Sequence, residues 1–261
     1  MSGLEKEVFS FDMLGEAART PQQADDYFES YKSAIDEVGK INTARNLSNG
    51  VSIKISALHP RYEMRKINQI ESELLPKLKE LVNYAQSKDV EITIDAEEQD
   101  RLSLSLHIIE KLAYEKNIRD WPGFGIALQA YGKRSFDVIH WLNGILDKRD
   151  GVHLRLVKGA YWDYEIKHAQ VSGYEGYPVF SKKSLTDIAY LACAKEIFKN
   201  KKIFPKFATH NAHTISSIHH IGKDFNYEFQ RLYGMGELLY KSASEVLGIK
   251  NNPSVLSLIH I

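Results

Sequence analysis

Short apolar runs alternate with amphipathic helical patterns along this chain, and that alternation most constrains its fold. Seven runs rich in β-branched and aromatic residues can be followed, at residues 8–13, 51–55, 91–95, 125–129, 152–157, 206–208 and 227–232. Between them, apolar residues recur at three- and four-residue spacing, as in helices with one buried face. No Pro/Gly/Ser-rich linker or low-complexity segment interrupts the series. We therefore predict a parallel sheet in one α/β domain spanning residues 1–261.

Seven strand–helix units favour a TIM-like (β/α)8 barrel over a doubly wound sheet. A doubly wound nucleotide-binding sheet commonly carries Gly-x-Gly-x-x-Gly after its first strand, and no such motif follows residues 8–13. Seven clear units leave such a barrel one strand short. Residues 255–261 are apolar enough for a strand, but we expect the eighth strand and final helix to be missing or replaced, with 241–261 as a tail.

Helix boundaries follow from capping and breaking residues. Thr20 and Pro21 suit the N-cap and first positions of a helix that Gly39 is expected to close. Pro76 is expected to bend the next helix. After the fifth strand we expect a polar loop, followed by a helix from about Lys183.

Charge and cysteine content exclude some classes of function. Lys+Arg and Asp+Glu both number 34, so no net field attracts nucleic acid or an anionic membrane. A single cysteine, Cys193, excludes an internal disulfide and a multi-cysteine zinc site, and its apolar context predicts a small core residue. The N-terminus lacks the features of a signal peptide, and no apolar run reaches about 18 residues. These features indicate a cytoplasmic protein.

Polar residues mark the ends of five consecutive predicted strands. In a (β/α)8 barrel the active site lies at the carboxyl ends of the strands. The polar residues at or near those ends are Lys54, Asp95, Gln129, Arg155, Lys158, Thr209 and His210. Burying several unpaired charges costs several kcal/mol per ion, so we expect a solvated or ligand-filled cavity there.

Three chemistries fit this polar ring. Lys54 or Lys158 could form a Schiff base, as in aldolases. His210 and His213 with Asp95 could bind a metal, although histidines on one strand face would be two apart rather than three. Alternatively, cationic side chains could bind a cofactor on which Tyr161 and Trp162 stack. Spacing leaves the Schiff base and the cofactor equally open and the metal least favoured.

Six stretches resemble a known family. They are Phe9–Ala17, Ile53–Tyr62, Asp95–Glu98, Leu154–Asp163, Phe207–His213 and Glu228–Gly236. In this order they resemble the proline dehydrogenase domain of bacterial proline utilisation A (PutA), a bifunctional flavoenzyme, over residues 8 to about 240. The resemblance implies FAD, transfer of hydride from C5 of L-proline to flavin N5, Δ1-pyrroline-5-carboxylate as product, and electrons passing to a quinone. For the full-length enzyme it implies peripheral contact with the inner membrane.

The resemblance also implies residue roles. Lys54 corresponds to the lysine that pairs with the proline carboxylate, Asp95 to its hydrogen-bonded acid, and Leu232 to a residue lining the proline ring. Arg155 is expected near the flavin, where its charge stabilises negative charge developing on reduction. The full flavin-contacting set by resemblance is Gln129, Arg155, Val157, Lys158, Gly159, Trp162, Ser181, Thr209 and His210, with Ser181 standing where the family usually has threonine.

The end of the sequence departs from the family pattern. The family has an eighth strand bearing a tyrosine, then a helix whose Arg-Arg pair clamps the substrate carboxylate, and neither pattern follows Gly236. Without them an open barrel would expose a sheet edge and lose charge-assisted bonds. The alternative expectation is therefore a non-catalytic, truncated fragment that needs the absent C-terminal segment.

Overall fold

Eight parallel strands pair in chain order and close into a barrel in a computed structural model that describes residues 7–13, 15–249 and 253–259. The strands are β1 Phe9–Met13, β2 Gly50–Ile53, β3 Glu91–Ile94, β4 Phe124–Gln129, β5 Val152–Val157, β6 Ile203–Ala208, β7 Glu228–Leu232 and β8 Ser254–Ile259. Because all strands run in the same direction, their carboxyl ends meet at one rim. The α/β barrel predicted from the alternation is confirmed.

Helices surround the strands and cover their outer faces. They are α1 Pro21–Arg45, α2 Ile67–Gln69, α3 Leu75–Ser87, α4 Leu102–Ala113, α5 Lys116–Arg119, α6 Ser135–Leu146, α7 Trp162–Val171, α8 Lys183–Ile197, α9 Ala212–Ile221 and α10 Glu237–Leu247. The main apolar core lies between this ring and the sheet, and Cys193 is buried within it. None of the described helices combines the length and hydrophobicity needed to cross a bilayer.

The expectation of a missing eighth strand is wrong. β8 pairs with β1 from Phe9–Val255 to Met13–Ile259 and with β7 from Gln230–Ser254 to Leu232–Leu256. Backbone pairing needs extended residues that fit between two neighbours, and it does not need a polar residue at the strand end. The expected absence of a final helix concerns chain beyond Ile259, outside the described residues.

One helix boundary differs from that predicted. Gly39 does not end α1, which runs on to a left-handed C-cap at Asn46. A Cβ on Gly39 would lie 3.1 Å from the Cβ of Lys88, so close approach to the turn before β3 explains this glycine. Pro76 lies at the second position of α3, directly after a π-helical segment, Ile70–Leu74, in a helical run that is continuous from Ile67 to Ser87, and the bend expected there stays a prediction.

Other differences lie beside the rim of the barrel. β2 ends at Ile53, so Lys54 follows the strand and precedes a 3-10 turn over Ile55–Leu58. The segment predicted as a polar loop after β5 contains α7. Its weak amphipathicity explains why periodicity missed it: only Glu165 and Ala169 are buried in this helix.

Polar side chains fill the middle of the barrel. Ser10, Ser52, Thr93, Gln230 and Ser254 are all buried among the strands. Lower in the barrel, Lys206 on β6 donates to Glu91 on β3 at 2.7 Å. These polar side chains in the barrel interior are therefore held by directional hydrogen bonds, whereas the main apolar core lies outside the barrel, between the strands and the helices.

Buried Arg149 joins the loop before β5 to α5 and to the loop before β4, at the other end of the barrel. Its guanidinium donates to the carbonyl oxygens of Gly151, Ile118 and Trp121 at 2.6, 2.7 and 2.7 Å. It also lies 4.8 Å from the centroid of the Phe124 ring. Burial without a close carboxylate lowers the pKa of Arg149 to about 10.

We expect Arg149→Met to lower the free energy of unfolding by about 2–4 kcal/mol, because it removes three hydrogen bonds to carbonyl groups, of which that of Ile118 keeps a second donor, the N–H of Trp121. Urea denaturation would measure the change. Arg119→Met is the matched control: this exposed arginine pairs with Asp120, its one salt-bridge partner among the described residues, and should change stability by less than about 1 kcal/mol. Equal effects of the two substitutions would contradict a structural role for Arg149.

Candidate functional site

A cavity of about 580 Å³ opens at the carboxyl ends of the strands. Such a volume is typical of a small-molecule site. It brings together ten of the twelve residues predicted for the site: Lys54, Asp95, Gln129, Arg155, Val157, Lys158, Gly159, Thr209, His210 and Leu232. Their individual roles remain predictions.

The other two predicted residues, Trp162 and Ser181, do not line this cavity. Trp162 is 41% exposed, and its indole N–H donates to the carbonyl of Phe180 at 2.9 Å. The same bond brings the start of α7 next to Ser181. Both residues therefore lie outside the cavity wall, where only an extended part of a ligand would reach them.

Lys54 lies between two carboxylates. Its ammonium contacts Asp12 closely and lies 3.4 Å from Asp95. Its backbone N–H donates to the hydroxyl of buried Tyr31 at 3.0 Å, which fixes the chain as it leaves β2. Burial disfavours the charge, but the two carboxylates outweigh it and raise the pKa of Lys54. The ammonium is therefore charged, and two of its three N–H donors have partners among the described residues.

Arg155 lies at the centre of the barrel and is bound by residues on three strands and by Asp95, which directly follows a fourth. Its guanidinium donates to Ser10 at 2.7 Å, to Ser52 at 2.9 Å and to Gln230 at 2.8 Å. It also forms an ion pair with Asp95 at 2.9 Å. With 5% of its surface exposed, this side chain is fixed before any ligand arrives.

Lys158 and Lys183 share one carboxylate at the cavity edge. Asp187, in the second turn of α8, accepts from Lys158 at 2.5 Å and from Lys183 at 2.7 Å. Although partial burial opposes it, bonding to both ammonium groups lowers the pKa of Asp187. The edge of the cavity thus carries two cations and one anion, which favours an anionic group such as a phosphate.

His210 is fixed by the backbone of the neighbouring strand. The N–H of Leu232 donates to its Nε2 at 3.0 Å, so Nε2 is unprotonated in this arrangement. Partial burial and the nearby charge of Arg231 lower the pKa of His210. A neutral imidazole therefore sets the position of Leu232 at the mouth of the cavity.

This bond predicts a pH dependence. A histidine whose folded pKa lies below its unfolded value contributes stability above the unfolded pKa, and that contribution is lost as the pH falls through the folded pKa. We therefore expect the stability advantage of wild type over His210→Gln to be larger at pH 7.5 than at pH 5.5, as measured by urea denaturation. His220→Gln, on the exposed face of α9, is the control and should show no such difference. An equal stability advantage of wild type at pH 7.5 and at pH 5.5 would contradict the neutral state assigned to His210.

Several cavity residues were missed by sequence reasoning. They are Asp12, Ala96, Ala127, Ala160, Lys183, Ala208, Asn211, Gln230, Arg231 and Leu256. Asp12 lies two residues after inward-facing Ser10, so period-two alternation along β1 would have found it. Tyr161, considered for stacking, also lines the cavity, and its hydroxyl donates to Glu16 at 2.8 Å.

The geometry disfavours the Schiff-base hypothesis. A lysine nucleophile must lose its proton, yet Lys54 is flanked by two acids and Lys158 is paired with Asp187. Among the residues that the structure describes, no three His, Cys, Asp or Glu side chains converge as metal ligands. Of the three chemistries, binding of a cofactor and an anionic ligand remains the one that these contacts favour.

The side chains that line the cavity suit the chemistry of a flavin cofactor. Val157, Ala127 and Leu256 supply apolar wall for an aromatic ring system, whereas Lys158 and Lys183 supply charge for phosphates. Gln129 donates to the carbonyl of Glu97 and accepts from the N–H of Ala160, so its amide is held in place in the cavity wall.

Comparison with known proteins decides the family. The proline dehydrogenase profile matches residues 3–254. The chain belongs to the proline dehydrogenase family. It is 48% identical over 244 residues to the bifunctional protein PutA of Escherichia coli K12, covering 90% of the chain and 18% of that protein. To PutA of Rhizobium meliloti it is 44% identical over 248 residues, covering 92% and 20%.

Solved members of the proline dehydrogenase family share the fold. A crystal structure of Bradyrhizobium japonicum proline utilization A superposes with a TM-score of 0.89 at 43% identity, covering 97% of the chain and 26% of that protein. Proline utilization A from Bdellovibrio bacteriovorus inactivated by N-propargylglycine superposes at 0.90 with 28% identity, covering 98% and 28%. The chain thus spans about a fifth of the length of the curated PutA relatives.

Proposed function

We propose that the chain, as one barrel domain, catalyses the FAD-dependent oxidation of L-proline to Δ1-pyrroline-5-carboxylate, the first step of proline catabolism to glutamate. Membership of the proline dehydrogenase family and the names of its relatives support the reaction. The observation that carries the proposal is the cavity itself, where a charged Lys54 faces the same space as an apolar wall and two rim lysines.

The chain's residues would divide the work between the two ligands. Lys54, oriented by Asp12 and Asp95, would bind the substrate carboxylate through its remaining N–H, and Leu232 would cover the ring. Gln129, Val157, Gly159, Thr209 and His210 would hold the flavin, with Lys158 near its phosphates. Trp162 and Ser181 would contact a part that extends past the rim. When bound, the flavin supplies the acceptor for the hydride from proline C5.

Arg155 would present a fixed positive charge to the cofactor from the wall of the cavity. Because its donors are already oriented by Ser10, Ser52, Asp95 and Gln230, no reorganisation would be needed when negative charge develops on the cofactor. We further propose that electrons pass to a quinone and that the complete protein contacts the inner membrane peripherally.

Anaerobic titration tests the proposal. Protein reconstituted with FAD and freed of excess cofactor should be yellow, with a flavin absorbance band that L-proline bleaches. D-Proline, with the opposite configuration at the carbon bearing the carboxylate, is the control and should bleach it much more slowly. Protein that remains colourless after reconstitution would support the alternative of a non-catalytic fragment, and a band unchanged by L-proline would overturn the reaction.

A further inference from the structure

Four loops at the rim of the barrel, those after β1, β2, β3 and β5, are joined through the end of β4 by one series of hydrogen bonds. The series passes through three side chains, those of Ser56 after β2, Glu97 after β3 and Gln129 at the end of β4. Only 1%, 6% and 3% of their surfaces are exposed. We refer to Ser56, Glu97 and Gln129 as the rim bridge.

Ser56 connects the first two loops. Its hydroxyl accepts from the backbone N–H of Ala17 at 2.8 Å, and its carbonyl accepts from Ala18 at 3.0 Å. Ala17 and Ala18 follow β1, whereas Ser56 lies two residues after Lys54. The loops after β1 and β2 are therefore tied together beside the lysine expected to bind the substrate carboxylate.

Glu97 connects the second loop to the third. Its Oε1 accepts from the backbone N–H of Ser56 at 3.1 Å, and its Oε2 accepts from Arg101 at 3.2 Å. Glu97 lies two residues after Asp95, the acid beside Lys54. Displacement of its carboxylate would therefore disturb both members of the Lys54–Asp95 pair.

Gln129 connects the third loop to the loop after β5. Its amide N–H donates to the carbonyl of Glu97 at 2.8 Å, and its amide oxygen accepts from the N–H of Ala160 at 2.9 Å. Ala160 follows Gly159, in the loop assigned to the flavin. The rim bridge thus runs continuously from the substrate side of the cavity to the cofactor side.

We propose that Glu97 is a positioning residue that couples the two halves of the site, so that filling the cofactor half orders the Lys54–Asp95 pair for a carboxylate ligand. This inference rests on the proposed function. The N–H groups of Ala17, Ser56, Gln129 and Ala160 donate along this series, and a loop that moves must break one of these hydrogen bonds. The four loops and the end of β4 therefore adopt their binding geometry together, and coupling of this kind is reciprocal between the two ligands.

Two titrations measure this coupling. The dissociation constant of FAD is obtained from quenching of its fluorescence, with and without saturating tetrahydrofuran-2-carboxylate, an isostere of proline with oxygen in place of nitrogen. In the wild type the carboxylate should tighten FAD binding by about fivefold or more. Glu97→Ala should reduce this factor to about one, whereas Glu97→Gln, which keeps an acceptor oxygen, should retain most of it.

Controls separate coupling from a merely structural role. Glu98→Ala alters the neighbouring acid in the same loop and should leave the factor unchanged. A residue that only supports the fold would lower the melting temperature and weaken both ligands without changing the factor. If Glu97→Ala does not fold, Ser56→Ala decides, because it removes the tie to Ala17 and should lower the factor by at least about twofold.

The outcomes distinguish this inference from the proposed function. A wild type that binds both probes independently, or a factor unchanged in Glu97→Ala and Ser56→Ala, overturns the coupling and leaves the proposed function intact. A wild type that binds neither probe overturns both. Coupling that disappears in Glu97→Ala and survives in Glu97→Gln and Glu98→Ala supports the inference.

Discussion

Replacing Arg155 by methionine should slow proline-dependent flavin reduction by about 100- to 1,000-fold, the loss typical for removal of one preoriented donor from an active site. The guanidinium is held by four side chains before any ligand binds. Methionine fills a similar volume but carries no charge. Stopped-flow absorbance of the flavin under anaerobic conditions would measure the rate, and a dye-coupled titration would measure its midpoint potential.

The same substitution should also destabilise the barrel. Breaking a buried ion pair by removing one partner costs about 3–5 kcal/mol, and Asp95 would keep only its more distant contact with Lys54. Arg155→Lys is the matched variant: it keeps the charge but cannot reach Ser10, Ser52 and Gln230 together. We expect Arg155→Lys to show a flavin reduction rate and a stability between those of wild type and Arg155→Met. If Arg155→Met left both the flavin potential and the reduction rate unchanged, the role assigned to Arg155 would be wrong.

Lys54→Met should lower kcat/KM for L-proline by about 10- to 150-fold, which corresponds to one charge-assisted hydrogen bond of about 1.5–3 kcal/mol. The effect should appear mainly as a higher KM, because the substrate carboxylate is not a reacting group. Steady-state kinetics with a dye acceptor would measure it. The pKa of Asp12, raised by burial and by Asp95, should rise further when its lysine partner is removed.

A second lysine provides the contrast. Lys183→Met alters a cation at the cavity edge that pairs with Asp187, so it should weaken FAD binding and leave the KM for L-proline nearly unchanged. Lys54→Met should therefore raise the KM for L-proline, whereas Lys183→Met should raise the dissociation constant of FAD. A Lys54→Met enzyme with a normal KM would mean that another group binds the carboxylate.

Position at a strand end was the sequence feature that found most of the site. It placed Lys54, Asp95 and Gln129 correctly because parallel strands bring their carboxyl ends to one rim whatever the details of the helices. Asp12 was missed because it lies within a short aromatic run, where only the alternation of β1 shows which face points inward. The pairing of Lys158 with Asp187 was also beyond reach, since it joins residues 29 positions apart through helix packing.

Tertiary contacts override local patterns where the prediction of the fold failed. Gly39 disfavours a helix by propensity, yet it lies within α1, where the neighbouring turn would crowd a Cβ at 3.1 Å from that of Lys88. β8 has weak local signals and is defined by β1 and β7 on either side. In both cases the deciding neighbour is distant in sequence.

The polar centre of the barrel has a consequence for strand alignment during folding. Sliding any strand by one residue turns its inward side chains outward. A slip of β1, β2 or β7 would therefore withdraw Ser10, Ser52 or Gln230 from Arg155 and leave a charged guanidinium buried with too few acceptors. An apolar interior would tolerate such a slip at little cost, because one aliphatic side chain substitutes readily for another. Arg155 would thus specify the strand register of the barrel, because all of its partners converge in only one alignment of the strands.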